Sequence, residues 1–253
     1  MGITYRRVNS LPELGTRLIK IQEKDLAKCV EYFKLFKIEQ GVFPSNKSLI
    51  KLAHGVAFSM NMFTAKLTDI PKWVVPYLAQ LTSDSIQILP SIILNQKRTL
   101  HLYERAGIED FLRYTYYLDH KIEHALLQIY PKKFQSIDSM IDWLEEYPDL
   151  TTYKELVSEE CGKLSSRHAE LSRAVHGTTL ADQQIVKNIR DLNAQKIDAE
   201  KEERILKSIF QSIFFLLSAF HIDHYRRLQL DERALIGQYL DGNQIEALSG
   251  LKQ

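Results

Sequence analysis

The stretch Leu102–His124, LYERAGIEDFLRYTYYLDHKIEH, decides the fold. Its apolar residues Leu102, Ala106, Ile108, Phe111, Leu112 and Leu118 recur at helical spacing, with no period-two alternation between them. At 3.6 residues per turn, Arg105, Glu109, Arg113, Tyr116 or Tyr117, His120 and then Glu123 or His124 fall on one stripe. If the other faces are packed, the stripe lies in a groove or an interface, where each charge needs a partner. One reading is a ladder of intrahelical ion pairs, in which Glu109 to Arg113 has the favourable order and is worth about 0.2–0.5 kcal/mol when solvated. The other is a working site.

Helical spacing continues outward on both sides. Towards the N-terminus, Ser10-Leu11-Pro12 starts a helical pattern that runs through LIKIQEKDLAKCVEYFKLFKIEQ and stops at Gly41. The turn cluster GVFPSN is the best domain seam, dividing an N-terminal helical segment, 1–42, from a main helical domain, 43–253. Ser45 caps a helix to about Lys66, Pro71 opens a short apolar helix with a kink or second start at Pro76, and Thr82-Ser83-Asp84 caps a segment bent at Pro90.

Beyond the central stretch, Asp119 either ends its helix or points to solvent. Ser136 caps IDSMIDWLEE, and Gly177 stops the helix carrying RHAELSRAVH, which Gly162 interrupts or does not. A long helix then runs from Gln184 or Asn193 to near His224. Its first half, KIDAEKEER, reads as a solvated extension, and its second, ILKSIFQSIFFLLSAFHI, as a buried core helix rather than a membrane span. ERALIGQYL and NQIEALSGL are two short closing helices. The prediction is an all-α bundle of roughly 9–11 helices without internal repeats.

Hydrophobic residues make up 45% of the 253, enough for a sizeable core. The formal net charge of +1 supplies no global field, so nucleic acid would have to be bound by a local patch. Cys29 and Cys161 stand far apart with no apolar leader before them, and a reducing cytoplasm is the expected compartment.

Arg113 and His120, in RYTYYLDH, are a seven-residue step apart, which on an unbroken helix returns within about 20° of the same face. The pair suits phosphodiester cleavage without metal. The imidazole moves a proton near neutral pH and the guanidinium holds the extra negative charge on phosphorus, while Glu109 orients Arg113. In the second polar run, RHAELSRAVHGTT, His168, Ser172 and His176 stand at i, i+4 and i+8. They are either core-edge histidines with ordinary partners or the opposite wall of one pocket.

RYTYYLDH resembles the Arg and His motif of the HEPN superfamily, all-α proteins of prokaryotic toxin and antiviral systems, many of them RNases. Tyr114 stands directly after the Arg, where a common variant has a polar residue. ERAGIEDFLRYTYYLDHKIEH and RHAELSRAVHGTT also look like segments of helical defence-island proteins, together about an eighth of the chain. The resemblance implies a HEPN-like core and metal-independent RNA cleavage by Arg113 and His120. Arg105, Tyr116 and Tyr117 would hold or stack on RNA, and His168, Ser172 and His176 would line the opposite wall. It also implies a homodimer or a protein partner of a defence system. The alternative is a non-catalytic adaptor or ligand-sensing subunit using the same stripe.

HKIEH, residues 120–124, matches the H-x-x-E-H pattern of inverted zinc peptidases, with Glu200 or Glu202 as a conceivable third ligand, and His221 and His224 form another helical pair. Those enzymes resemble a mixed α/β scaffold, which this chain does not offer. No cofactor or structural metal, and no membrane contact, is expected.

Overall fold

The computed structural model describes residues 16–35, 46–132, 134–177 and 197–250. Among them the chain forms α1 (Thr16–Leu35), α2 (Lys47–Lys66), α3 (Val75–Ile93), α4 (Lys97–Asp119), α5 (Lys121–Ile129) and α6 (Ile137–Glu145). A 3-10 turn, Pro148–Tyr153, leads into α7 (Lys154–His176), α8 (Ala199–Phe220), α9 (Ile222–Arg227), α10 (Leu230–Gly237) and α11 (Gly242–Ser249). The described residues contain no strand, and the all-α class is as predicted. The helix start at Ser10, the Gly41 seam with its Ser45 cap, and the polar stretch 178–184 lie outside the described residues.

The stretch that decides the fold becomes α4, which packs against α3, α6, α7 and α8. A short link joins α3 to α4 and lays them side by side. Asn95 takes the left-handed conformation (φ 53°) that ends α3. Its N–H donates to Ile92 O at 3.0 Å and that of Gln96 to Ser91 O at 2.8 Å, the kind of helix stop that selects Gly or Asn. The core forms where α4 meets α8: Leu100, Ile108, Phe111, Leu112 and Tyr114 from one, Phe210, Phe214, Phe215 and Leu216 from the other, all fully buried. The apolar half of α8 is core, as its composition implied. No helix among the described residues is long and apolar enough to cross a membrane.

Several local expectations need correction. Pro76 is a second start, in the first turn of α3, but Thr82-Ser83-Asp84 is no cap. It lies inside that helix, with the Thr82 hydroxyl donating to Leu78 O at 2.9 Å and Asp84 buried. Pro90 also sits within α3; the carbonyl it leaves without a helical donor belongs to Ile86, an exposed residue, where water can serve it. Gly162 does not interrupt α7, and Gly177 (φ 60°) ends it as predicted. Ser136 caps α6, accepting from Ser139 N at 3.1 Å. The long terminal helix is shorter than expected: it starts at Ala199, capped by Asp198, and breaks at His221. Its charged opening is not wholly solvated either, because Glu202 is fully buried.

The break at His221 has a polar anchor. The Tyr114 hydroxyl, fully buried on α4, lies 2.7 Å from His221 Nε2. Burial, and next to it His224, pushes the imidazole down to about 4, so it is neutral near pH 7 and accepts the phenolic proton. A histidine depressed in the folded state contributes stability above its unfolded value of ~6.5. That stability is lost as pH falls towards about 4. Tyr114→Phe, which leaves Nε2 buried without its donor, should therefore cost about 1–3 kcal/mol by denaturant unfolding at pH 7.5. The stability difference between the native chain and His221→Gln should shrink as pH is lowered from 6.5 to 4.5.

Candidate functional site

Four-residue spacing puts Arg105, Glu109 and Arg113 on one face of α4, turned towards α7. Glu109 is the hub. Arg105 Nε and Nη2 reach Glu109 Oε1 at 2.8 Å, and Arg113 Nη2 donates to Oε2 at 2.9 Å. From α7, His168 Nε2 reaches Oε1 at 3.1 Å. Burial raises the affinity of Glu109 for a proton, but the bond from His168 and the charges of Arg105 and Arg113 outweigh it and hold the carboxyl down at about 2. It is a carboxylate at neutral pH, so His168 Nε2 is the donor in that contact. His176 Nε2 lies 3.0 Å from Arg105 Nη1, and since a guanidinium only donates, this nitrogen is the acceptor. Arg98 fastens the end of α7, donating from Nε to Val175 O at 3.0 Å.

The cluster is half-buried and unsaturated. Of the five N–H groups of each guanidinium, Arg105 commits three and Arg113 two, which leaves donors for an incoming anion. The His168 and His176 expected on the facing wall do meet Glu109 and Arg105, and Ser172 stands half-buried between them on the same helix.

His120 stands apart. The helix ends at Asp119, and His120, with φ −103° and ψ 57°, is the junction residue between α4 and α5. Because the helix breaks there, the seven-residue step does not return His120 to the face of Arg113 in helical phase. Its Nδ1 donates to Tyr116 O at 2.8 Å, its ring stacks on that of Tyr116 at 3.8 Å, and Trp143 meets it edge-on. Arg113 bonds to Glu109 and Asp110, not to His120. Tyr117 stacks with Tyr77 and meets His124, so the two tyrosines line an aromatic patch beyond the Arg113 end. Within HKIEH, His120 ends one helix and Glu123 and His124 begin another, while Glu202 bonds to His101 rather than to them.

Beneath Arg113 lies a carboxyl pair that sequence reasoning missed. Arg113 Nη1 donates to Asp110 Oδ1 at 3.1 Å, and Asp110 shares a hydrogen bond with Asp84 of α3, which Gln80 Nε2 also serves at 2.8 Å. Both acids are almost wholly buried. Burial raises both; Asp84 raises Asp110 further, against the charge of Arg113, to about 7, while the bonds from Gln80 and Asp110 lower Asp84, so the pair holds one proton and holds it on Asp110. The i,i+3 spacing of Asp110 and Arg113 was a legible signal; Asp84 looked like a helix cap.

Comparison of the chain with protein families, with curated proteins and with solved structures finds no match.

A carboxyl raised in the folded state contributes stability that is complete below its unfolded value of ~3.9. That stability is lost as pH rises through about 7. Asp110→Asn keeps a neutral partner for Asp84 and for Arg113. It should raise stability at pH 8.5 by on the order of 2 kcal/mol more than at pH 5, each pKa unit being worth ~1.4 kcal/mol. Urea unfolding of both proteins at the two pH values checks this, and a variant that gains nothing at pH 8.5 relative to pH 5 would refute the shared proton.

Proposed function

We propose that the α4–α7 cluster binds a phosphodiester of RNA and cleaves it without a metal in the reaction, as in a HEPN-like protein of a prokaryotic defence or toxin system. The observation that carries this is the convergence of two guanidiniums and two imidazoles around one ionised carboxylate, with guanidinium donors left over. The resemblance of RYTYYLDH and RHAELSRAVHGTT to such proteins supports RNA as the substrate class. The roles differ from those first read at Arg113 and His120.

On this reading Glu109 holds His168 by Nε2–H and stabilises the imidazolium that forms, leaving Nδ1 to take the proton of the ribose 2′-hydroxyl. Arg105 and Arg113 turn their remaining donors to the phosphate oxygens and hold the extra charge as the bond from the 2′-oxygen forms. The bond to the 5′-oxygen breaks, water protonates the leaving oxygen, and His168 returns its proton to solvent. The products are a 2′,3′-cyclic phosphate and a 5′-hydroxyl. His176 acts as a positioning residue that aims Arg105, and the half-buried Tyr77 is the aromatic face nearest Arg113, because Tyr116 and Tyr117, first expected to stack on RNA, are buried.

A second reading, a docking subunit, is favoured by α5. That helix has no buried residue, and Ile122, Ile129 and Phe134 are each about two-thirds or more exposed.

His168→Ala and Arg113→Ala should each slow cleavage of single-stranded RNA about 100-fold or more, with stability changed by no more than ~2 kcal/mol. His120→Ala should stay active. An inactive His120→Ala beside an active His168→Ala would return the chemistry to the Arg113 and His120 pair, and an inactive native chain would leave docking as the function. Light scattering at micromolar concentration tests docking between copies. A dimer is expected, and Ile122→Lys with Ile129→Lys should return it to the monomer of 29.4 kDa.

A further inference from the structure

One turn before Arg105, α4 carries a second polar group that the RNA reading does not use. His101 and Glu104, at i,i+3, share a face of α4 and meet Glu202 from the first turn of α8. Both glutamates are wholly buried and His101 is 5% exposed. His101 Nε2 lies 2.9 Å from Glu202 Oε2, and Lys97 Nζ lies 3.3 Å from the other oxygen of Glu202. Glu104 is the anomaly, because neither of its carboxylate oxygens has a hydrogen-bond partner although both are sealed from solvent. His101 Nδ1 is also buried without one. One nitrogen or oxygen from each of the three residues falls within 4.8 Å of the others.

Buried carboxylates are rarely left so. Neither the Lys97 ammonium nor the His101 imidazole, both on Glu202, serves Glu104, and protonating Glu104 would still leave its carbonyl oxygen without a donor. A divalent cation satisfies the oxygens and neutralises both carboxylates at once. We propose that His101, Glu104 and Glu202 form a buried site for one divalent transition-metal ion of the zinc class, which pins the start of α8 to α4. One imidazole with two carboxylates suits a borderline cation, whereas magnesium and calcium favour oxygen ligands and, for magnesium, several waters. Ligand atoms around zinc stand about 3.4 Å apart, against a present spread of no more than 4.8 Å. Lys97 stays on the outer oxygen of Glu202 and orients it. The burial makes such an ion a structural one, and the proposal departs from the expectation that the fold needs no metal. The site does not rest on the RNA reading.

The test uses the full chain, metal content measured as purified, then melting after dialysis against chelator and again after adding Zn2+, with Mg2+ as control. Zinc should return to roughly one equivalent per chain and raise Tm by roughly 5–10 °C at a hundredfold excess over its Kd, while Mg2+ should not. Glu104→Leu should lose both zinc responses and melt above the metal-free native chain, because an uncompensated buried acid has been removed. Glu104→Gln should also lose stoichiometric zinc, with helicity by circular dichroism unchanged. A native chain that neither takes up one equivalent nor shifts its melting with zinc overturns the proposal. So does a Glu104→Leu protein that responds to zinc as the native chain does.

Discussion

The structure depends on the fact that α4 is a central helix rich in ionisable groups. It is packed against α3, α6, α7 and α8, so most of its charges meet protein before they meet water, Arg98 and Asp119 near its ends being the exposed ones. Leaving such a group unpaired costs more than a solvated ion pair returns, and α3, α7 and α8 therefore supply partners. Asp84 of α3 meets Asp110, His168 and His176 of α7 meet Glu109 and Arg105, Glu202 of α8 meets His101, and His221 after α8 meets Tyr114. The helices are held by apolar packing, but their register is set by these polar contacts.

The contacts differ in how far they are completed. Tyr114 and His221 form a closed donor and acceptor pair, sealed in the core, which fixes the joint between α8 and α9. Asp84 and Asp110 close only by sharing a proton. The Glu109 cluster is different, because it is half-open and its guanidiniums keep donors unspent. A purely structural network has no use for open donors, and for that reason the functional reading is placed there.

Much of this was legible in the sequence. Periodicity showed the helices, and four-residue steps showed that Arg105, Glu109 and Arg113 share a face. The i and i+8 spacing of His168 and His176 showed a second polar stripe. What failed were inferences about which helix faces are covered. Thr82-Ser83-Asp84 has the composition of a cap but lies mid-helix, because Asp84 finds its partner across the bundle and not in its own backbone. Glu202 sits in a run of charges that looked solvated, yet it is sealed by α4. The break after Asp119 carries no Gly or Pro. His120 is drawn out of helical phase while its ring stacks on Tyr116 and against Trp143, a tertiary cause that local spacing does not record.

The central claim is that the Glu109 cluster recognises phosphate. The most direct measurement is NMR of the imidazole resonances while a 2′-deoxy oligonucleotide, which lacks the hydroxyl needed for cleavage, is titrated in. The account predicts that the His168 and His176 resonances shift together and saturably, that those of His120 and His221 stay in place, and that Arg105→Ala abolishes the shifts. Saturable binding that moves His120 and leaves His168 and His176 unmoved would contradict it, as would no binding at all.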